Sequence, residues 1–392
     1  MPKEKRILGL PKNVFFLGLT SFFNDFSSEM VLSVFPAFFT SVLKTGAASL
    51  GLVEGLADAA SNFLKVYSGR LSDKLQKRRF LVISGYTLSV VTRPFYLFAN
   101  AVGGVLTLRM LDRIGKGLRE APRDAIISLS VKKEELGRSF GYHRMMDSLG
   151  GICGPLAAFA ILYYFPLHFD LVFISAFFIG IFALATLVFI TDIVIPGVKK
   201  TDGSLFSFTG MPDQFKIFLL SVFLLSLGSM PIAVLLLSTQ SLGLVLAFIP
   251  LFYMVHNLSY SAFSVAAGEA SDKNGGLIVL IVGYCMLLLS YLLFAFASSL
   301  LVLGVAFLVL GLFSALTDGV QRSIAGRLTT PEVRGAAHGL LNAAIGLGAL
   351  CAGVIGGYLW QMYSPQIALL VAGIAVMSGL SLLFWCNGNK CI

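Results

Sequence analysis

Long apolar stretches separated by short polar breaks run through the whole sequence of 392 residues. Each stretch is about 18 residues or longer, which is the length that a helix needs to cross a bilayer. Charged residues make up only 12% of the chain and fall mainly in the breaks, which argues against a large soluble core. The stretches lie near 14–42, 47–67, 80–99, 101–122, 139–163, 169–191, 214–238, 243–267, 276–297, 299–326, 336–360 and 365–386. This pattern predicts an all-α integral membrane protein with about twelve spans.

Lysine and arginine concentrate in alternate breaks. They occur before the first span, after the even-numbered spans and near the C-terminus, whereas the odd-numbered breaks hold little beyond Lys44. Because basic residues favour the cytoplasmic side, we expect a multi-pass protein of the cytoplasmic (inner) membrane with both termini in the cytoplasm. The net charge of +9 reflects this bias and does not indicate nucleic-acid binding. The first stretch contains Asn24, Asp25 and Glu29 without a cleavage site after it, so we interpret it as a retained helix.

The second half of the chain repeats elements of the first. "GRLSDKLQK" at 69–77 aligns with "GEASDKNGG" at 268–276, an offset of 272 − 73 = 199 residues. "ELGRSFG" at 135–141 aligns with "VRGAAHG" at 333–339, an offset of 339 − 141 = 198 residues. We therefore predict a six-helix bundle over 1–191, a cytoplasmic linker over 192–213 and a second six-helix bundle over 214–392. Such parallel repeats can move against each other around a central site, which favours alternating access.

Three motifs resemble signatures of the major facilitator superfamily. "GRLSDKLQKRR" at 69–79 is similar to the loop signature between the second and third helices of that family, with Gln76 in place of the usual glycine. "RIGKG" at 113–117 resembles its helix 4 signature. "GGICGP" at 150–155 resembles the helix 5 signature of its antiporters, although Ala157 and Ala158 replace the usual Gly-Gly. "NDFSSEM" and "GKGLREAPRDA" are similar to a bacterial branch whose members are mostly described as exporters. The resemblance implies the two-bundle fold of this family and a secondary transporter, which we expect to act as a monomer in the lipid bilayer.

The loop signature predicts a gate on the cytoplasmic side. A carboxylate at Asp73 can accept hydrogen bonds from the N-terminus of a facing helix, where the helix dipole favours an anion. In the family that partner is the start of the eleventh span, here near 334–339. The alternative is a plain basic anchor at the lipid headgroups, which explains the cations but not Asp73 or its repeat at Asp272. The predicted gating residues are Gly69, Asp73, Lys74, Lys77, Arg78 and Asp272.

Charged side chains also occur inside the spans of the first half, where each costs roughly 3 kcal/mol or more at the bilayer centre. They must therefore face each other or water. A carboxylate beside an arginine in a low-dielectric cavity can carry the coupled proton, whereas a static ion-pair cluster is the alternative. We expect Asp25 or Glu29 to pair with Arg113 or Lys116 of the fourth span in one state of the transporter, and Asp25 and Arg113 are the preferred coupling residues. Glu54 and Asp58 could instead pack against the eleventh span. The predicted charged cavity comprises Asp25, Glu29, Glu54, Asp58, Arg113, Lys116, Arg144 and Asp147.

Polar side chains at helical spacing suggest solute contacts. The predicted contacts are Asn24, Arg109, Tyr253, His256, Asn257 and Gln321. Catalytic and phosphate-binding motifs do not occur, and four histidines and five cysteines form no metal-binding spacing, so we expect no enzymatic activity, cofactor or metal. A receptor or scaffold would not need buried carboxylates. The sequence therefore predicts a proton-coupled exporter of a small polar, charged or amphiphilic solute. The alternative is a proton-coupled importer of a metabolite or metal chelate.

Overall fold

Helices make up nearly all of the chain. The structure, a computed structural model, describes residues 6–75, 77–132, 135–192, 211–330 and 333–388. Its long helices are α1 (Lys12–Ser41), α2 (Ala47–Leu75), α3 (Arg78–Phe95), α4 (Val102–Leu129), α5 (Leu136–Tyr164), α6 (Phe169–Leu187), α7 (Asp213–Leu227), α10 (Ile249–Asn274), α11 (Gly276–Ala295), α12 (Leu300–Arg327), α13 (Arg334–Met362) and α14 (Pro365–Gly388). Two short helices follow α7, α8 (Ile232–Leu235) and α9 (Ser238–Ser241), and a two-stranded hairpin, β1 (Arg6–Ile7) with β2 (Leu10–Pro11), precedes α1.

Eight of the helices in the described part of the chain are long and apolar enough to cross a bilayer. The other long helices are α1, α2, α4 and α10, and they carry most of the charged and polar residues discussed above. The lengths and composition of the helices thus agree with the predicted all-α membrane protein. Helices α1, α2, α4 and α10 are less apolar because they carry the charged and polar residues.

One compact unit consists of Met1–Val34 and Leu64–Asp202. Glycines bring its helices into close contact. A Cβ added at Gly85 of α3 would lie 2.6 Å from the carbonyl oxygen of Gly115 in α4, and one added at Gly154 of α5 would lie 2.5 Å from that of Phe26 in α1. The backbones of these helix pairs therefore touch, which holds the charged side chains of α3 close to those of α4 and the charged side chains of α1 close to those of α5.

The other compact unit consists of Phe35–Phe63 and Gly203–Ile392. In it, a Cβ at Gly353 of α13 would lie 3.0 Å from the Cα atom of Gly55 in α2, so the first half of α2 packs directly on α13. The predicted boundaries at 191/192 and 213/214 follow the sequence and stay a prediction, because the linker residues 193–210 lie outside the described ranges.

The seventh predicted span, 214–238, is broken rather than continuous. α7 ends at Leu227, and Gly228 and Pro231 separate it from α8. Proline lacks the N–H that a continuing helix needs. The hydroxyl of Tyr291 in α11 donates to the carbonyl oxygen of Gly228 (2.6 Å) and accepts from the N–H of Met230 (3.0 Å). One buried side chain thus satisfies two backbone groups that the break exposes.

Candidate functional site

Helix α4 carries a row of charged residues through the first unit. Arg109 and Asp112, one turn apart, form an ion pair of 3.2 Å, and both side chains are largely buried. Further along, Glu120 binds Lys65 of α2 at 2.9 Å and lies 3.8 Å from Lys116. The row therefore contains ion pairs within α4 and one that joins α2 to α4.

Helix α5 contributes a second carboxylate to the same unit. Asp147 lies 3.5 Å from the Nδ1 atom of His143 and 3.9 Å from Arg144. The hydroxyl of Ser21 in α1 also donates a hydrogen bond to Asp147. Asp147 thus connects α1 with α5 at the contact that the glycines of α5 create.

Asp25 occupies the neighbouring position on α1. It accepts a hydrogen bond from Asn24 Nδ2 (3.1 Å), and Asp147, Lys116 and Arg119 surround it within electrostatic range. Among the described residues it forms no ion pair within 4 Å. Asp25 therefore shares its environment with a second carboxylate, Asp147. An ion pair of Asp25 or Glu29 with a cation of the fourth span stays a prediction.

Two buried arginines complete the cluster. Arg93 of α3 donates to Asn24 Oδ1 (3.0 Å), and Arg119 of α4 donates to Ser89 Oγ (2.6 Å). The guanidinium of Arg119 also lies 4.5 Å from the ring centroid of Tyr86. Neither arginine was predicted as a site residue from the sequence, although Arg93 is a lone cation in an apolar stretch and Arg119 belongs to the segment "GKGLREAPRDA".

The predicted solute contacts in the first unit are engaged with other side chains. Asn24 is buried between Arg93 and Asp25. Arg109 is buried in its ion pair with Asp112. These contacts indicate that both residues hold the charged cluster together in this conformation, and a direct contact between either residue and solute stays a prediction.

Most predicted contacts of the second unit lie along the seam between α10 and α12. His256 Nε2 lies 3.2 Å from Ser314 Oγ, and its Nδ1 lies 3.1 Å from Asn257 Oδ1. The ring of Tyr253 stacks on His256 with 6.0 Å between centroids. Gln321 contacts α11 instead of this seam, because its amide donates to the hydroxyl of Tyr284 in α11 at 2.7 Å.

One turn further along the same seam, the hydroxyl of Tyr260 donates to Asp318 of α12 at 3.3 Å. Asp318 is exposed although it lies well inside a long apolar helix. A carboxylate at this position suits an aqueous interior better than lipid.

The two candidate carboxylates of α2 lie in the second unit. Glu54 is buried, and Asp58 is partly exposed one turn further on, where its carbonyl accepts a hydrogen bond from Asn62 (2.9 Å). This segment packs on α13 through Gly55. This segment of α2 is thus a neighbour of α13, the predicted eleventh span. A role for either carboxylate in coupling stays a prediction.

The residues of the loop signature are described only in part. Asp73 and Lys74 lie in α2, and their side chains are outside the described part of the structure. Gly69 packs on α4, where an added Cβ would lie 3.6 Å from Ala121, while Lys77 is exposed and Arg78 is buried. Asp272, the repeat of Asp73, binds Arg327 at 2.6 Å on an exposed surface.

Sequence comparison identifies the family of this chain. The sequence model of the Major Facilitator Superfamily matches residues 17–265 and 217–388. The chain is a member of the major facilitator superfamily. It is 35% identical to an uncharacterized MFS-type transporter of Methanocaldococcus jannaschii over 382 residues, which cover 96% of this chain and 95% of that relative. The predicted family, the membrane fold and the expectation of a transporter rather than an enzyme are thereby confirmed.

Two further comparisons extend this result. Over 158 residues the chain is 27% identical to the multi-drug resistance efflux pump PmrA of Streptococcus pneumoniae, a match that covers 39% of this chain and 38% of the pump. The crystal structure of the nucleoside transporter NupG superposes with a TM-score of 0.73 at 15% identity and covers 96% of this chain and 98% of that one. At this level of identity, the structural similarity establishes the fold.

Proposed function

We propose that this major facilitator superfamily transporter exports a small polar, charged or amphiphilic solute across the cytoplasmic membrane in exchange for protons, by alternating access. The observation that carries the proposal is the pair of carboxylates Asp25 and Asp147. They come from facing helices, share one electrostatic environment, and Asp25 has no ion-pair partner within 4 Å among the described residues.

Two neighbouring carboxylates in a membrane interior are suited to proton binding. Like charges held close together in a low-dielectric region disfavour double ionisation, so one proton stabilises the pair. Lys116 lies within range to compensate the remaining charge. Binding and release of this proton change the charge of the cluster, which is the property that a coupling site needs.

The direction of transport is supported by relatives rather than by geometry. The match to an efflux pump favours export, and the helix 5 motif "GGICGP" resembles that of antiporters. In the structure, Gly150 and Gly154 of this motif lie against α1, and a Cβ at Gly150 would approach the Cβ of Asp25 to 3.1 Å. The motif therefore forms the contact between α1 and α5 at which Asp25 and Asp147 come within electrostatic range of each other.

Flux in proteoliposomes tests this proposal. The solute is first selected as the compound that most stabilises the purified protein against heat, from a library of metabolites, drugs and chelates. Export by exchange predicts that the solute accumulates in vesicles whose interior is acidic and leaves vesicles whose exterior is acidic. Accumulation inside vesicles with an acidic exterior would instead show the import alternative, and flux that ignores the pH gradient would contradict proton coupling.

A further inference from the structure

We propose that the first unit binds an anionic group of the transported solute, a carboxylate or a phosphate, at Arg93 of α3 and Arg119 of α4. This inference rests on the proposed transport function and adds the charge of the solute to it. It follows from the surroundings of the two guanidinium groups.

Arg119 is held in a fixed position without a counter-ion. The residue is 4% exposed, its guanidinium lies over the ring of Tyr86, and its Nη1 donates to Ser89 Oγ. Ser89 in turn donates to the carbonyl oxygen of Asp112 (3.0 Å), which turns an oxygen lone pair toward Arg119. The Nε atom has no hydrogen-bond partner, and Arg119 forms no ion pair with any described residue.

Arg93 of α3 is also buried, and one of its guanidinium nitrogens has no hydrogen-bond partner. It is 2% exposed and donates through Nη2 to the backbone oxygen (3.3 Å) and Oδ1 (3.0 Å) of Asn24. Its Nη1 has no hydrogen-bond partner, and again no described residue forms an ion pair with it. Ser89 and Arg93 are four residues apart on α3, so they share a face of that helix, and the two arginines lie within electrostatic range of each other.

The carboxylates nearby do not neutralise this pair. Asp112 lies within electrostatic range of both arginines, but its ion pair within 4 Å is with Arg109, at 3.2 Å. Asp25 lies within electrostatic range of both arginines but beyond ion-pair distance. A buried charge without a partner is costly, so the arrangement favours an added anion. Guanidinium groups present planar donors that match carboxylate and phosphate oxygens. We therefore expect the bound group to be a carboxylate or a phosphate.

A thermal-shift experiment on the purified full chain tests the site with acetate and inorganic phosphate as probes. The melting temperature is measured in sodium chloride and then in sodium acetate or sodium phosphate at the same ionic strength. The variants are Arg119→Met and Arg93→Met, which keep much of the side-chain volume and remove the charge. Arg322→Met is the matched control, because Arg322 is an exposed arginine of α12 in the second unit without an ion pair among the described residues.

We expect acetate or phosphate to raise the melting temperature of the unmodified protein and of Arg322→Met by about 2 °C or more. The rise should vanish in Arg119→Met and in Arg93→Met, and Arg119→Lys should retain less than half of it because lysine lacks the planar fork. If Arg119→Met does not fold, Arg93→Met and Arg119→Lys carry the same comparison. An equal rise in Arg119→Met and Arg93→Met, or no rise with acetate or phosphate over chloride in the unmodified protein, would overturn the assignment.

The failure of this inference can be told apart from the failure of the proposed transport function. Anion binding is measured in detergent without a gradient, whereas proton coupling is measured as flux across a membrane. An anion-dependent shift without proton-coupled flux would contradict the proposed function alone, and coupled flux without the shift would contradict the anion site alone.

Discussion

Glu120 forms ion pairs with both Lys65 and Lys116. It lies 2.9 Å from one and 3.8 Å from the other. We expect Glu120→Gln to lower the free energy of unfolding by about 2 kcal/mol, because it leaves two partly buried ammonium groups without their carboxylate. Chemical denaturation of the purified protein measures this change.

A double-mutant cycle controls for the loss of packing. The variant Lys65→Met with Glu120→Gln should recover part of the stability that Glu120→Gln loses. The effects of Lys65→Met alone and Glu120→Gln alone on the free energy of unfolding are compared with that of the double variant. If the two single effects simply add, Lys65 and Glu120 do not interact energetically, and the ion pair contributes nothing to joining α2 with α4.

Asp73 and Asp272 occupy matching positions of the internal repeat but should differ in importance. We expect Asp73→Asn to slow transport by about tenfold or more while membrane insertion stays normal, because the loop signature predicts a gating role for this carboxylate. Asp272→Asn should have a small effect, since its ion pair with Arg327 is exposed and exposed pairs contribute little. Initial rates of solute flux compare the two, and equal rates for Asp73→Asn and the unmodified protein would refute the gate.

At the scale of elements, the contact between α1 and α5 depends on glycine. A Cβ at Gly154 would lie 2.5 Å from the carbonyl oxygen of Phe26, whereas one at Gly141 of the same helix would meet nothing within 4 Å. We therefore expect Gly154→Ala to destabilise the protein by about 2 kcal/mol through overpacking and Gly141→Ala to be neutral or slightly stabilising. Thermal unfolding distinguishes the two, and an equal effect of both changes would show that the α1–α5 contact can relax.

The break between α7 and α8 depends on one hydroxyl group. Tyr291→Phe removes the partner of both the Gly228 carbonyl and the Met230 N–H. Because buried backbone groups without partners are costly, we expect a loss of about 2 kcal/mol in the free energy of unfolding. Because phenylalanine keeps the volume of the ring, the measured change reports the loss of the hydroxyl group alone. An unchanged free energy of unfolding would mean that the two backbone groups find other hydrogen-bond partners.

Helix positions could be read from the sequence because apolar length is a strong signal. The predicted span at 299–326 corresponds to α12 (Leu300–Arg327), and the one at 365–386 corresponds to α14 (Pro365–Gly388). The break within 214–238 was missed, since Gly228 and Pro231 stand in a stretch whose hydropathy alone predicts one continuous helix. Tyr291, which stabilises the break, lies in another helix, 63 residues beyond Gly228, and gives no local signal.

At the scale of the whole molecule, the sequence identified which residue types meet but not how they pair. Charges in α1, α4 and α5 were expected to face each other, and the structure brings Asp25, Lys116 and Asp147 within electrostatic range. The proximity of Asp25 to Asp147 could not be read from the sequence, because helical spacing gives the face of one helix but not the rotation of its neighbour. Packing on Gly150 places Asp25 near the α5 carboxylate.

The central claim is that a carboxylate of the first unit carries the coupled proton, and one paired assay tests it most directly. Gradient-driven accumulation and zero-gradient counterflow of the same solute are measured in proteoliposomes for Asp25→Asn and Asp147→Asn. Asp170→Asn, at the exposed start of α6, serves as the matched control.

Because asparagine mimics a protonated carboxyl group, we expect at least one of the first two variants to lose gradient-driven accumulation and keep counterflow. Asp170→Asn should keep both activities. Full gradient-driven accumulation by both Asp25→Asn and Asp147→Asn would contradict the account and move the coupling site to another carboxylate, such as Glu54 or Asp58 of α2.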